Sequence, residues 1–401
     1  MPLVTRYCRV EPFEPTSSKQ VLDYLNFRGY EVPTHPKTKK PTTGKKAVAR
    51  LLRKHPADPV LQQLRLLRGY SKVIGDLSDK YIHSDGRFHP VFTLDVSTGR
   101  MAGGAPNLMN QPQGRLSEER ERAQAQRSSI IPTEGFVLIS RDWMGSQAQL
   151  TAWFANDPSY KRVSLLGAHA YYLSHLNGKP VDLNRPDPEV AAELAALKKS
   201  DPRYQLAKAI NLALPFGMGP YLLAEEVGCT YTEAVQYLLI HEGMFPLVAA
   251  WKEQIRRIAH KEHSLRNPFG WISPYYFDIF RKGTNDEGEE VWRPTGKQAN
   301  QVLAQQPQST EAAMLKEVWL SVDEQTRDDP DFHLLVPVHD EILAEARVGT
   351  EARYMALLKR EMERKWPELG GFSIDTEGAY GYNWAKYDAE TNPKGMREWK
   401  D

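Results

Sequence analysis

The stretch His333-Leu-Leu-Val-Pro-Val-His-Asp-Glu-Ile-Leu-Ala-Glu-Ala346 decides how this chain is read. An apolar run, a polar pair and a second apolar run predict two strands turning about His339-Asp340. Two-residue turns normally carry Asn-Gly, Asp-Gly or another glycine pair, because the backbone there needs positive φ. His339-Asp340 supplies no glycine, and Glu341 adds a second acid. A turn that breaks the local rule in this way marks a candidate functional site. The other reading is an ordinary surface turn with solvated acids.

Working outward, Gln298–Val322 reads as a helix before the hairpin and Ala352–Lys365 as one after it. Gly135-Phe-Val-Leu-Ile-Ser-Arg-Asp142 is a strand pattern ending on an acid. By itself Asp142 reads as a cap or loop carboxylate. If Asp142 and Asp340 ended neighbouring strands, they would hold two divalent ions about 3.5–4 Å apart, clamping the oxygens of an in-line phosphoryl displacement. Magnesium suits such a site because it prefers oxygen ligands and keeps contacts to substrate phosphates. Nothing in the spacing places the two acids side by side.

Helical patterns dominate from Gln147 to Lys261, with Asp201-Pro202 predicted as a helix start. Tyr204, Lys208, Leu212 and Phe216, spaced by four, share one helix face. A cation followed by an aromatic suits a nucleotide, with phosphates on Lys208 and the base on Phe216. Equally, Leu212 and Phe216 could be core residues with Lys208 snorkelling past them. Gly270–Arg293, rich in Gly, Pro and aromatics, reads as loop or irregular sheet.

The composition sets the frame. With 401 residues, 41% hydrophobic and 26% charged, the chain is a globular mixture of two or three lobes, not a disordered or fibrous one. The formal charge of +1 means that a nucleic-acid surface must come from local clustering. One cluster qualifies: Thr34–Ile74 holds eleven Lys and Arg against the single acid Asp58. Its later part, Ala47–Leu67, reads helical, and the basic side is either a solvated face or a phosphate contact. Cys8 and Cys229 are too few for a disulfide framework or a cysteine zinc site. No run has the length of a membrane helix, so a soluble cytoplasmic protein is expected.

Taken together and in order, from Phe13-Glu-Pro-Thr-Ser-Ser-Lys-Gln20 to Gly381-Tyr-Asn-Trp384, these segments resemble the polymerase domain of family A DNA polymerases. Val338-His-Asp-Glu341 is similar to the family's motif C, and Gly135 to Asp157 aligns without gaps to motif A. The segment from Lys208 to Gly217 is similar to motif B. Thr98-Gly-Arg-Met-Ala-Gly-Gly-Ala-Pro-Asn-Leu-Met-Asn110 and Gln308-Ser-Thr310 resemble its primer–template contacts.

The resemblance implies an α+β right-hand fold: a truncated thumb (11–90), a palm built on an antiparallel sheet (91–153 and 295–401), and helical fingers (154–294). It implies Asp142, Asp340 and Glu341 as catalytic acids, the first two binding two Mg2+ ions, with Mn2+ able to substitute. Lys208, His169, Arg203, Phe216, Leu212 and Gln147 would contact the nucleotide; Arg100, Asn107, Gln308 and His339 would contact DNA. The implied reaction is deoxynucleotide addition to a primer 3′ end. An exonuclease and the first thumb helix have no counterpart in the sequence, so proofreading is not expected, and a separate exonuclease or processivity subunit is an expected partner. The rival readings are an RNA-accepting enzyme and a non-catalytic DNA-binding subunit.

Departures from the family pattern sharpen the reading. Gln147 stands where the family has a Glu steric gate, and Phe216 where it has Tyr. Losing a carboxylate and its hydroxyl partner together strands neither. Tyr204 occupies the motif B arginine position, with Arg203 rotated about 100° away on a helix. Pro215 is expected to kink the helix toward Phe216.

Overall fold

The computed structural model describes residues 12–35, 38–76, 78–94, 96–109, 117–214, 217–274, 276–284, 290–294 and 296–401. They divide into two compact units, one drawn from Met1–Pro90, Ala105–Asn107 and Gln111–Ser129, the other from Val91–Gly104, Leu108–Asn110 and Ile130–Asp401. Among the described residues no helix is long and apolar enough to cross a membrane.

The first unit is helical: α1 (Ser18–Phe27), α2 (Lys45–Lys54), α3 (Pro59–Asp76) and α4 (Ser117–Ser128). The stretch Ala47–Leu67, expected to be helical, is built from two helices. Pro56 and Pro59 interrupt the backbone ladder, and Asp58 Oδ1 accepts from the N–H groups of Val60 and Leu61 at 2.9 and 3.0 Å, capping α3. Both helices still turn their apolar stripe inward. Val48, Leu51, Leu61 and Leu64 pack with Val21 and Leu25 of α1. Lys45, Arg50, Arg53 and Lys54 remain on the solvated side, whereas Arg68 turns in to donate to the Thr43 carbonyl. Lys37, at the start of the basic run, lies outside the described residues.

The second unit is organised by a five-stranded antiparallel sheet. Its strands are β3 (Phe136–Trp143), β6 (Phe332–Val338), β7 (Glu341–Arg347), β8 (Thr376–Gly381) and β9 (Arg397–Trp399), in the order β6-β7-β3-β8-β9; the short pair β1 (Val91–Thr93) and β2 (Ala102–Gly104) precedes them. The hairpin read from the sequence is β6–β7, with Val338 paired to Glu341 across the turn. Along β3, alternate residues serve opposite faces. Val137 and Ile139 join Met314, Leu315, Val318, Tyr354 and Leu358, while Leu138 joins Val336, Val338, Leu343 and Trp384. Burial on both faces explains why β3 reads as an unbroken apolar run.

Helices α5 (Ser146–Ala155), α6 (Pro158–Leu166), α7 (Ala168–Leu176), α8 (Asp187–Ser200), α9 (Tyr204–Ala213), α10 (Pro220–Val227), α11 (Tyr231–Met244) and α12 (Pro246–Glu262) follow β3. The stretch Gly270–Arg293, expected as loop or irregular sheet, contains an antiparallel pair, β4 (Phe280–Thr284) and β5 (Glu290–Pro294). The long helix α13 (Gly296–Thr326) and α14 (Glu351–Met362) cover one sheet face.

One predicted boundary moves. Asp201 does not cap α9; its Oδ1 accepts from the Arg203 N–H at 2.8 Å, two residues on, and its Oδ2 accepts from Asn177 Nδ2 at 2.9 Å. The carboxylate thus closes an Asx turn, and the helix starts only at Tyr204. After α9, Gly217 has φ +77°, and a Cβ there would lie 2.6 Å from Asn300 Oδ1 and 2.9 Å from Leu303 Cδ1. Only glycine lets this turn lie against α13. Pro215 and Phe216, with the kink and the aromatic contact expected of them, lie outside the described residues.

Candidate active site

Asp142 ends β3 between two other acids. It pairs directly with Glu341 of β7 on one side and with Glu377 of β8 on the other. Directly paired residues of antiparallel strands project from the same face, so the three carboxylates share it. The β6–β7 turn brings in the fourth, since the Trp143 N–H donates to the Asp340 carbonyl at 3.3 Å. Asp142 Oδ1 is buried with no hydrogen-bond partner. Burial, then the charges of Asp340, Glu341, Glu377 and Glu311, push the Asp142 carboxyl up to about 9.

The turn keeps its unusual residue. His339 has φ +60°, the left-handed conformation that glycine would take in such a turn. The strain falls on the residue that carries Asp340 beside β3.

Next to Asp340 a cavity of about 480 Å³ opens, lined by Ser146, Gln147, Ser164, His169, Tyr204, Asn211 and Leu212 among others. Gln147 comes from the first turn of α5, His169 from the start of α7, and Tyr204 and Leu212 from one face of α9. Leu212 is no core residue: it is 55% exposed, while Ala207, Ile210 and Leu214 carry the packing. Asn211 Nδ2 donates to His169 Nδ1 at 2.9 Å, leaving the imidazole Nε2–H free of that bond to donate elsewhere. Burial first, then Lys208 and Lys198, lower His169 to about 4, so the ring is neutral at pH 7.

The remaining candidates are placed as follows. Lys208 stands exposed on α9, one turn from both Tyr204 and Leu212, and its charge reaches His169. Arg203 does not line the cavity; its guanidinium donates to Asn177 Oδ1 at 2.5 Å and pairs with Asp201. Arg100 pairs with the buried Glu311 of α13, one turn beyond the half-buried Gln308. His339 is exposed on the turn. Asn107 belongs to the first unit, and Phe216 lies outside the described residues.

Sequence reasoning missed Glu311, Ser146, Glu377 and Asn211. A glutamate within the otherwise uncharged run Gln308–Leu315 was the signal for Glu311.

A family model described as DNA polymerase family A matches residues 4–386. The chain belongs to DNA polymerase family A. Among its family A relatives, DNA polymerase I of Helicobacter pylori is 25% identical over 362 residues, covering 88% of this chain and 35% of that protein. DNA polymerase I of Deinococcus radiodurans is 27% identical over 366 residues, covering 88% and 34%. The thermostable DNA polymerase I of Thermus caldophilus is 26% identical over 383 residues, covering 93% and 42%. The chain thus spans between 34% and 42% of the length of these curated relatives. In fold it is similar to the POL domain of Pol1 from M. smegmatis, solved in complex with DNA primer-template and dNTP. That similarity has a TM-score of 0.72 at 22% identity and covers 93% of this chain and 61% of that one.

Proposed function

We propose that this chain is a template-directed DNA polymerase that adds deoxynucleotides to a primer 3′ end, using primer–template and dNTP as the M. smegmatis domain does. The observation that carries the reading is the meeting of Asp142 and Asp340 beside a cavity lined by Gln147, His169 and Leu212. Five-stranded sheet and covering helices serve as palm (91–153 and 295–401), residues 154–294 as fingers and 11–90 as thumb.

The acids suit divalent ions. Asp142 presents a buried, unpartnered oxygen among several negative charges, and its neighbours supply oxygen donors alone. Among the described residues no group of three or more His, Cys, Asp or Glu is arranged to hold a metal ion. Asp142 and Asp340 would hold the divalent ions. Bound Mg2+, or Mn2+ in its place, supplies Lewis acidity that eases loss of the 3′-hydroxyl proton and offsets charge on the phosphates.

The protein's own groups position the reactants. His169 donates Nε2–H to a triphosphate oxygen while neutral, and Lys208 offers a point charge to the same group. Gln147 and Leu212 bound the sugar. Gln308 and His339 face the duplex, while the Arg100 guanidinium is held by its pair with Glu311. Extension of a labelled primer by the purified chain, with Mg2+ and with chelator, tests the reading. Template-directed, metal-dependent extension is expected, and its absence would overturn the assignment.

A further inference from the structure

Glu311 is fully buried, an expensive place for a carboxylate. Its Oε1 accepts from the Arg100 guanidinium, and its Oε2 lies 2.7 Å from Ser146 Oγ. The same hydroxyl lies 2.8 Å from Asp340 Oδ2. Four residues from separate segments therefore form one connected chain: Arg100 before β2, Glu311 on α13, Ser146 opening α5, and Asp340 on the β6–β7 turn. Ser146 is itself immobilised, being 1% exposed. The chain enters its helix through Gly145, whose φ is +61°.

We propose that Glu311, acting through Ser146, is a positioning residue that orients Asp340 for metal binding and holds the Arg100 guanidinium away from free contact with the primer–template. Ser146 has one hydroxyl proton for two carboxylates. With Glu311 anchored by Arg100, that hydroxyl donates to Asp340 Oδ2 and fixes a side chain mounted on a strained, half-buried turn. The arginine pays with its charge: paired to Glu311, it adds little to the electrostatic attraction of DNA.

This inference rests on the polymerase reading, and the experiment separates the two. Glu311→Gln, Ser146→Ala and the double variant of the full chain are compared with wild type, with circular dichroism as the check on folding. Single-nucleotide incorporation gives kcat and KM. Mn2+ affinity of the DNA-free protein is read by electron paramagnetic resonance, and metal-free primer–template affinity is followed against salt by anisotropy. Each single variant is expected to lose about tenfold in kcat and in Mn2+ affinity, with KM within about twofold. The double variant is expected to be no worse than the worse single, because both act along one path. Glu311→Gln alone steepens the salt dependence by about 0.9 per charge released.

Wild-type kcat and Mn2+ affinity in both single variants, or multiplied losses in the double, would overturn the positioning role. An unchanged salt slope in Glu311→Gln overturns the restraint on Arg100. If wild type extends no primer, the polymerase reading falls, and the Mn2+ titration still decides whether Ser146 and Glu311 orient Asp340. Should Glu311→Gln fail to fold, Ser146→Ala, which removes one hydroxyl, decides.

Discussion

Asp142 on β3 and Glu341 on β7 are direct cross-strand partners, so two carboxylates face each other where the central strand ends. Like charges so placed are destabilising, and Glu377 repeats the arrangement on the other side. Burial and this crowding of acids hold a proton on Asp142, whose carboxyl is pushed up to about 9. Asp142→Asn keeps the shape and spares the folded chain the proton that Asp142 must take up at pH 7, so the metal-free variant should be more stable than wild type by about 1 kcal/mol or more. It should also lose nucleotide addition by about a thousandfold or more. Urea unfolding in chelator and primer extension measure the two. Asp142→Ala and Asp340→Ala should likewise abolish addition yet retain primer–template binding, which rests on distributed phosphate contacts.

Gln147 and Leu212 line the same cavity from α5 and α9. Gln147 nearly matches glutamate in bulk and should exclude a ribose 2′-hydroxyl. Gln147→Ala should therefore raise ribonucleotide incorporation about tenfold or more. Leu212 has no hydroxyl to stand in for a missing 3′-hydroxyl, so Leu212→Tyr should favour dideoxynucleotides. Competition between nucleotide pairs in single-turnover extension reads both ratios. Unchanged ratios in both variants would mean that these side chains do not bound the sugar.

His339 adopts φ +60° without being glycine. His339→Gly should relieve about 1 kcal/mol of left-handed strain, partly offset by unfolded-state entropy. The variant should be at least as stable as wild type in chemical denaturation. On the proposed contact between His339 and the duplex, loss of the imidazole should nonetheless slow extension about tenfold. A variant that is both stabilised and fully active would show that the strain serves no function.

Arg141, fully buried beside Asp142, pairs with Asp401 and donates Nε–H to Thr376 Oγ1 at 2.5 Å. Hydrogen bonding from Arg141, partly opposed by burial and helped by Lys359, lowers the Asp401 carboxyl to about 2. A depressed carboxylate stabilises the fold above its unfolded value near 3.9 and loses that effect as pH falls toward 2. Asp401→Asn should cost about 2 kcal/mol at pH 7, less than a wholly buried pair because Asp401 is partly exposed. The difference from wild type should shrink steadily between about pH 4 and about pH 2. Denaturant midpoints across that range test it.

Asp58 is the junction of the first unit. Besides capping α3, its Oδ2 accepts from Tyr30 and Tyr24 hydroxyls at 2.7 and 2.8 Å, with Arg28 at 3.4 Å. Asp58→Ala strands two phenols and the start of a helix, and should destabilise this unit by about 3 kcal/mol. Hydrogen exchange of the α1–α3 amides should rise while that of the sheet stays put.

Strands β3, β6 and β7 were legible because their apolar runs are bounded by polar turns, and helices α13 and α14 because their periodicity is strong. Ala47–Leu67 is helical as its periodicity predicts, but two prolines and a capping aspartate break it, interrupting an apolar stripe that continues on both sides. Asp201 misled in the opposite direction: its carboxylate found a partner two residues on, and N-capping residues serve Asx turns equally well. Leu212 carried two readings until packing showed that Ala207, Ile210 and Leu214 fill the core.

The sequence by itself determined the acid at each strand end, the glycine-free turn, the order of the motifs and the family. Those features are local, since each depends on residues close together in the chain. Tertiary structure alone decided which acids meet. Register across β7, β3 and β8 sets Glu341 and Glu377 on either side of Asp142, and register depends on strands far apart in the chain. It also decided that a glutamate deep in α13 would share a serine hydroxyl with Asp340. The uncharged run around Glu311 hinted at burial, but no pattern in a helix names the partners a buried charge finds in space.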